Sequence, residues 1–472
     1  MIEFKGVSFS YEGAEEGKLQ DLDFTIKTGE CILLTGRSGC GKTTITRLMN
    51  GLIPEFFPGE LSGEIKIDGK PLFEEPIYKL ASKVGSVFQN PKTQFFNMDT
   101  DGEIAFGMEN NGVPQAEMRQ KVNQTARELE IEDLLGRSIF SLSGGEKQKV
   151  AFASVYAMNP DIYLLDEPSS NLDEKAIEDL RKHIQLIKNQ GKTVIIAEHR
   201  LYYLREIADR ILYLDKGELK HIWTREEFYH LPAKERKAMG LRSIDYNKDL
   251  LIINNQKGKK NKESKITIKE EKILEFQNVA IGYGKKVILS NLNLTASTGE
   301  IIAITGHNGV GKSTFSRTLC GLLKPLEGKI TLNDVVLKEK TRLSHSYMVL
   351  QDVNYQLFAD SVEHECSLGI KKPDYELITK TLLELGLDTY GKRHPNTLSG
   401  GQKQRVAVAV SMICKKEILI FDEPTSGLDY DSMQAVSKLL KALAQRGKII
   451  FVVTHDYEFL AEACTRVICL KP

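Results

Sequence analysis

No apolar run in this 472-residue sequence reaches the ~18 residues that a membrane-crossing helix needs. The N-terminus, Met1-Ile2-Glu3-Phe4-Lys5, lacks the basic-then-apolar order of a secretory signal. If the protein works at a membrane, other chains are expected to span it. An excess of either charge is also missing: Lys+Arg and Asp+Glu stand at 64 each, so no global attraction to nucleic acid or anionic lipid follows. The 7 cysteines are odd in number, scattered, and never form a C-x-x-C pair. That pattern argues against a disulfide scaffold or a zinc site and fits reduced thiols.

What is present is organised around Gly36-Arg37-Ser38-Gly39-Cys40-Gly41-Lys42-Thr43, followed by Thr44. The apolar run Glu30-Cys31-Ile32-Leu33-Leu34-Thr35 precedes it as a buried strand, and Ile45, Leu48, Met49 and Leu52 follow at helical spacing. In this setting a glycine-rich loop is a phosphate cradle. Backbone N–H groups wrap phosphate oxygens only where side chains do not intervene, and a helix N-terminus favours anions. Lys42 supplies a point charge, and the Thr43 hydroxyl is placed to ligate a magnesium ion. Cys40 reads as a small filler within the loop. The pattern recurs as Gly306-His307-Asn308-Gly309-Val310-Gly311-Lys312-Ser313-Thr314, between Ile301-Ile302-Ala303-Ile304 and a helix carrying Phe315, Leu319 and Leu322.

In chain order, Val7, Phe9 and Tyr11 alternate in one strand and Leu22, Phe24 and Ile26 in the next, as half-buried antiparallel strands do. Val84-Gly85-Ser86-Val87-Phe88 is an apolar run that delivers Gln89. Leu142-Ser143-Gly144-Gly145-Glu146 opens a helix with a hydroxyl and two glycines, a terminus suited to phosphate. Ile162-Tyr163-Leu164-Leu165 is a buried strand ending in Asp166-Glu167. There Asp166 suits magnesium coordination and Glu167 suits polarising an attacking water. Val194-Ile195-Ile196-Ala197 ends in Glu198-His199, whose place in this order suits a γ-phosphate contact.

From 233 to 272 the composition turns polar and Lys-rich, as in a solvated linker, giving domains over 1–232 and 273–472. The second half then repeats the first: Tyr283, the second glycine loop, Gln351, Ser399-Gly400-Gly401-Gln402, Asp422-Glu423, Asp429 and His455. Serine, glutamate and histidine keep one offset of 256 between copies (399 against 143, 423 against 167, 455 against 199), whereas the loop lysines, 312 against 42, differ by 270. The second copy is therefore expected to be shorter only between its phosphate loop and the serine.

This order of motifs, given twice, resembles the ATP-binding-cassette (ABC) superfamily. The resemblance implies an α/β fold of two tandem P-loop NTPase domains. Each would be a RecA-like mixed-sheet core with an antiparallel β subdomain and a helical subdomain. ATP and Mg²⁺ are the implied cofactors and ATP hydrolysis the implied activity. Tyr11 and Tyr283 are expected to stack on adenine, Gln89 and Gln351 to be the Q-loop residues, Asp173 and Asp429 the D-loop aspartates, and His199 and His455 the switch histidines. Both loops with Gln89, Gln351, Ser143, Gly144, Gly145, Ser399, Gly400 and Gly401 are then expected to bind ATP. Thr43, Gln89, Asp166, Ser313, Gln351 and Asp422 are expected to hold magnesium, partly through water, and Glu167, His199, Glu423 and His455 to be catalytic.

Such cassettes close head-to-tail, so each nucleotide would meet the signature serine and glycines of the other half in an intramolecular dimer. The Glu146 that replaces Gln402 of the second copy is expected to matter little. Val87–Phe96, with Glu103-Ile104-Ala105-Phe106-Gly107 downstream, and Gln351–Phe358 resemble the Q-loop segments of energy-coupling-factor (ECF) importer ATPases. That resemblance implies a transmembrane coupling protein and a small substrate-binding membrane protein as partners, a peripheral place on the cytoplasmic face of the cell membrane, and a vitamin, vitamin precursor or transition-metal ion as cargo. Nucleic acid is not an expected partner. Two alternatives stand beside it: the fused ATPase of a sugar importer, and a twin-cassette translation factor acting on the ribosome.

Overall fold

The computed structural model describes residues 1–13, 17–170, 172–245, 272–398 and 400–471. Contacts divide the chain into two compact units, Met1–Tyr246 with Asp429–Asp431, and Asn247–Leu428 with Ser432–Pro472.

In the first unit the central sheet has six strands, ordered Glu218–Thr224, Arg210–Asp215, Cys31–Gly36, Thr193–Ala197, Ile162–Asp166 and Val84–Val87. All neighbours are parallel except the first pair. Parallel strands covered on both faces read as continuous apolar runs, and every residue of Cys31–Gly36 and of Thr193–Ala197 is buried. A separate antiparallel sheet, ordered Leu19–Ile26, Ile2–Tyr11, Gly59–Ile67 and Lys70–Pro71, packs its apolar face against the same core. The helices Thr100–Asn110, Gln115–Glu128 and Gly144–Ala157 form a third, helical part around Ile104, Val122, Ala126 and Val150.

The second unit repeats these parts. Its central sheet runs Ser346–Val349, Ile418–Asp422, Ile449–Val453, Ile301–Thr305, Arg466–Cys469, all parallel. Its antiparallel sheet runs Lys286–Ser297, Ile273–Tyr283, Glu327–Leu332, Val335–Val336. Much of its shortening lies in the helical part. The helices of 11 and 14 residues that open this part in the first unit are matched by Val362–Ser367, of 6 residues, and Tyr375–Glu384, of 10.

The boundary expected at 232 falls too early. Ala233–Ala238 is a helix, the buried Arg236 donates to the Leu231 carbonyl, and the Tyr213 hydroxyl donates to Met239 O at 2.9 Å. Leu241 and Ile244, 2% and 3% exposed, close the core of the first unit. The polar composition hid this because one buried side in a short helix needs only a few apolar residues. The remainder of the expected linker, 246–271, lies outside the described residues. In the full chain, Leu241→Ala should cost ~2–4 kcal/mol, the cost of a core cavity, read as an earlier denaturant midpoint. A linker leucine would leave the midpoint unmoved.

Candidate functional site

Four neighbouring strands of the first unit carry the site on their C-terminal ends, where ligands of open α/β sheets bind. Cys31–Gly36 leads into the phosphate loop, Val84–Val87 into Gln89, Ile162–Asp166 into Glu167, and Thr193–Ala197 into Glu198 and His199. The loop is shaped by its glycines. At Gly36, φ is +147°, and an added Cβ would lie 2.1 Å from the Leu214 carbonyl oxygen. Gly41, at φ +105°, caps the helix Lys42–Met49 in the left-handed region. The Lys42 ammonium is buried, donating to Gly36 O at 3.2 Å and Arg37 O at 3.1 Å, with Cys40 Sγ at 3.9 Å.

Around this cation the expected residues of the first copy converge. Lys42 Nζ lies 3.2 Å from His199 Nε2. Burial, with the Lys42 ammonium adding to it, pushes the His199 imidazole well below its ordinary range, so the ring is neutral and this nitrogen accepts. Gln89 Nε2 donates to Glu167 Oε2 at 2.7 Å, and Glu167 Oε1 is 3.6 Å from His199 Nε2. Burial pushes the Glu167 carboxyl up to about 8; Lys42 and Gln89 oppose this, while Asp166 and Glu198 add to it. Its backbone is held at φ +43°, and that of Glu423 at +47°. Non-glycine residues at positive φ cost energy and cluster where a side chain must be aimed. The Thr43 hydroxyl donates to Asp166 Oδ1 at 3.3 Å, so the two expected magnesium ligands are adjacent. Hydroxyl, carboxylate and amide oxygens form a hard donor set that fits Mg²⁺, which keeps several waters and shares substrate phosphates.

The second unit repeats the loop around its lysine and the glutamate–histidine pair. Gly306 and Gly311 are at φ +141° and +110°, and Lys312 Nζ donates to Gly306 O at 2.7 Å, His307 O at 3.1 Å and Asn308 Oδ1 at 3.3 Å. Glu423 Oε1 lies 3.8 Å from His455 Nε2. Burial pushes the Asp422 carboxyl up to about 6, against the pull of Lys312 and Arg317. Gln351 and Ser313 are exposed, and Thr314 is buried.

The tyrosines differ between copies. The Tyr11 hydroxyl meets Thr44 Oγ1 at 3.2 Å and accepts from Arg47 at 3.2 Å, with its ring edge-on to Phe9. Tyr283 is 45% exposed and accepts from Arg317 at 3.4 Å. The two arginines, each five residues past its loop lysine, were not singled out in the sequence; that common spacing was the available signal. Asp173 caps the helix Glu174–Asn189, accepting from Ala176 N at 2.9 Å.

Ser143 and Gly144 are exposed at the start of the helix Gly144–Ala157, while Ser399 lies outside the described residues. Glu146 does more than expected. Its carboxylate accepts from Ser143 N at 2.7 Å, closing a capping box, and pairs with Arg137 at 2.8 Å. A Cβ built on Gly144, Gly400 or Gly401 meets nothing within 4 Å. Unlike Gly36, these glycines are not required by the packing of their own unit.

Fold and site define a P-loop nucleoside triphosphatase with two cassettes on one chain. The family profile described as ABC transporter matches residues 19–170 and 289–426. A Treponema denticola protein named as an ABC transporter ATP-binding protein is 48% identical over 478 residues, covering 100% of this chain and 95% of its own length. A similarly named Clostridium perfringens protein is 35% identical over 512 residues, covering 100% and 89%. Among solved structures, the one titled RNase-L Inhibitor aligns with TM-score 0.64 at 22% identity over 98% of this chain and 87% of its own. The archaeal ABCE1 bound to a ribosome with Pelota aligns with TM-score 0.68 at 23% identity over 98% and 76%. Both are likenesses of fold. The chain belongs to the ABC transporter ATPase family, and it binds and hydrolyses ATP.

Gly36→Ala should abolish ATP binding at the first loop and lower the melting temperature, because a backbone oxygen blocks the new methyl. Gly144→Ala should leave the melting temperature within ~2 °C or raise it, since alanine is the better helix former. Differential scanning fluorimetry with and without ATP checks both.

Proposed function

We infer that this chain is the energy-coupling ATPase of an ECF-type importer, peripheral to the cytoplasmic face of the cell membrane. It drives uptake of a vitamin, vitamin precursor or transition-metal ion through separate transmembrane and substrate-binding subunits. The observation that carries this reading is a pair of exposed aromatic patches beside the Q-loop glutamines. In the first unit Phe96, 74% exposed, stacks on Phe106 at 5.0 Å, with Met98 at 72%. In the second, Phe358 and Tyr355 are 74% and 62% exposed. Large apolar side chains left in water in a cluster favour a docking partner, and Phe96, Tyr355 and Phe358 lie in the segments that resemble ECF ATPases. Among the described residues no helix is long and apolar enough to cross a membrane, so the reading assigns the spanning segments to the partners.

ATP binding would draw the cassettes together head-to-tail, with Lys42, Gln89, Glu167 and His199 facing Ser399 and Gly401, and Lys312, Gln351, Glu423 and His455 facing Ser143 and Gly145. The open space beside Gly144, Gly400 and Gly401 favours this: a residue whose own unit does not need glycine is bare for something that approaches from outside it. Lys42 and Lys312 would grip the terminal phosphates. Bound Mg²⁺, held by Thr43 and Asp166 or by Ser313 and Asp422 with Gln89 or Gln351, would neutralise phosphate charge. Glu167 and Glu423 would orient and deprotonate the attacking water, and the neutral His199 ring in one site and His455 in the other would contact the γ-phosphate. A carboxyl near the working pH both accepts and releases a proton readily.

Two outcomes are expected. Glu167→Gln with Glu423→Gln should retain ATP binding and lose steady-state phosphate release; undiminished turnover would remove the base assignment. Affinity capture from detergent-solubilised membranes should recover multi-spanning proteins, and Phe96→Asp with Phe358→Asp should lose them while ATPase activity remains. Co-sedimentation with ribosomes as the main association would favour the translation-factor alternative.

A further inference from the structure

Glu198, immediately before the switch histidine, is 2% exposed, and its carboxylate is surrounded by donors rather than by a cation. Oε1 accepts from His199 N at 2.7 Å and Arg200 N at 3.0 Å. Oε2 accepts from Ser169 Oγ at 2.6 Å, Ser169 N at 3.3 Å and the Tyr203 hydroxyl at 3.0 Å. One oxygen therefore pins the main chain on which the His199 ring rides, and the other pins the turn two residues beyond Glu167. Arg200 braces the same turn from its far side, donating to Ser169 O at 3.1 Å and Leu172 O at 3.4 Å. A buried carboxylate left short of donors would cost several kcal/mol, so this degree of satisfaction makes the bracket rigid.

The second unit makes the bracket with the carboxylate on the other side of its histidine. Position 454 is threonine and position 456 aspartate, where the first copy has Glu198 and Arg200. Asp456 is 7% exposed and accepts from Thr425 Oγ1 at 2.7 Å; Thr425 stands where the first copy has Ser169. The carboxylate has moved two residues along the chain, yet it meets a hydroxyl at the same place in the turn. Thr454, buried in its stead, donates to Glu423 Oε2 at 3.2 Å.

We propose that Glu198 is a positioning residue for ATP hydrolysis in the first cassette, a brace that makes the switch loop carrying His199 and the turn carrying Glu167 move as one body. Asp456 with Thr425 is its counterpart in the second cassette. The brace touches neither ATP nor the attacking water, so its loss should lower turnover and spare nucleotide affinity. The proposal rests on the ATPase activity and is independent of what is transported.

The test uses steady-state ATPase kinetics of the full chain, with melting temperatures alongside. Glu198→Gln turns an amide NH₂ toward N–H and O–H donors, and, with the second cassette silenced by Glu423→Gln in every chain compared, it should lower kcat by at least ~5-fold with the KM for ATP within ~2-fold. Glu198→Thr should show the same loss. Glu198→Thr with Arg200→Asp, which installs the arrangement of the second cassette, should recover at least half of the wild-type kcat. A wild-type kcat in Glu198→Gln, a fall in melting temperature without a fall in kcat, a loss confined to KM, or a double variant no better than Glu198→Thr would each overturn the proposal. If Glu198→Gln does not fold, Ser169→Ala removes only the 2.6 Å hydroxyl donor. It should lower kcat ~3-fold at constant KM, and an unchanged kcat overturns the brace equally. Glu167→Gln, run in parallel, separates the two readings: if it too is harmless, the fault lies with the assigned base.

Discussion

A lysine ammonium taken out of bulk water must be solvated by something, and in both units it is solvated by the carbonyl oxygens of its own loop. Lys42 and Lys312 are 5% and 8% exposed, and each donates to two backbone carbonyls at 2.7–3.2 Å. Those carbonyls converge only because the loop takes φ values that side chains resist, at Gly36 and Gly41 and again at Gly306 and Gly311. The cation in turn supports the rest of the site. Asp166 and Glu167 are pushed toward protonation by burial, and the lysine is the principal charge opposing this. Burial, with the lysine adding to it, pushes the His199 imidazole well below its ordinary range, which leaves the ring a hydrogen-bonding group rather than a second competing cation. A phosphate chain meeting this site would exchange carbonyl oxygens for anionic ones around the same ammonium, a gain that a dry site magnifies.

Comparison of the two cassettes separates what the site requires from how it is met. The loop lysine, the strand-end carboxylate pair and the histidine near the glutamate are the same in both. The carboxylate beside the histidine is not: it stands before it in one copy and after it in the other, while its hydroxyl partner in the turn is kept, as Ser169 and Thr425. What is preserved is a spatial bond between two loops rather than a residue at a position.

Most of the fold was legible from apolar runs and their terminal residues. Buried parallel strands carry no polar face, so Cys31–Gly36, Ile162–Asp166 and Thr193–Ala197 stand out, and whatever ends them sits on one edge of the sheet. Glu167 and His199 could be placed for that reason. Three features were not legible, each because it depends on a contact distant or reversed in sequence. The helix Ala233–Ala238 and Leu241 look polar until the core they close is present. Glu146 looks like a neutral exchange for Gln402 until its bonds to Ser143 N and Arg137 are known. Glu198 looks like a charged residue at a strand end, although five donors from three other residues and the adjacent peptide converge on it.

The glycines of the phosphate loops and those of the signature helices differ in kind, and the difference bears on how such a molecule couples chemistry to movement. At Gly36, Gly41 and Gly311 a Cβ would strike atoms of the same unit at 2.1, 2.4 and 2.8 Å, so the fold explains the residue. At Gly144, Gly400 and Gly401 it would strike nothing, and a helix start would be more stable with alanine. Bareness against the preference of the helix fits the proposed approach of a ligand to the backbone. Under the proposed head-to-tail closure, a site finished only by such an approach would do its chemistry only when the approach has occurred, which would tie hydrolysis to a change of arrangement.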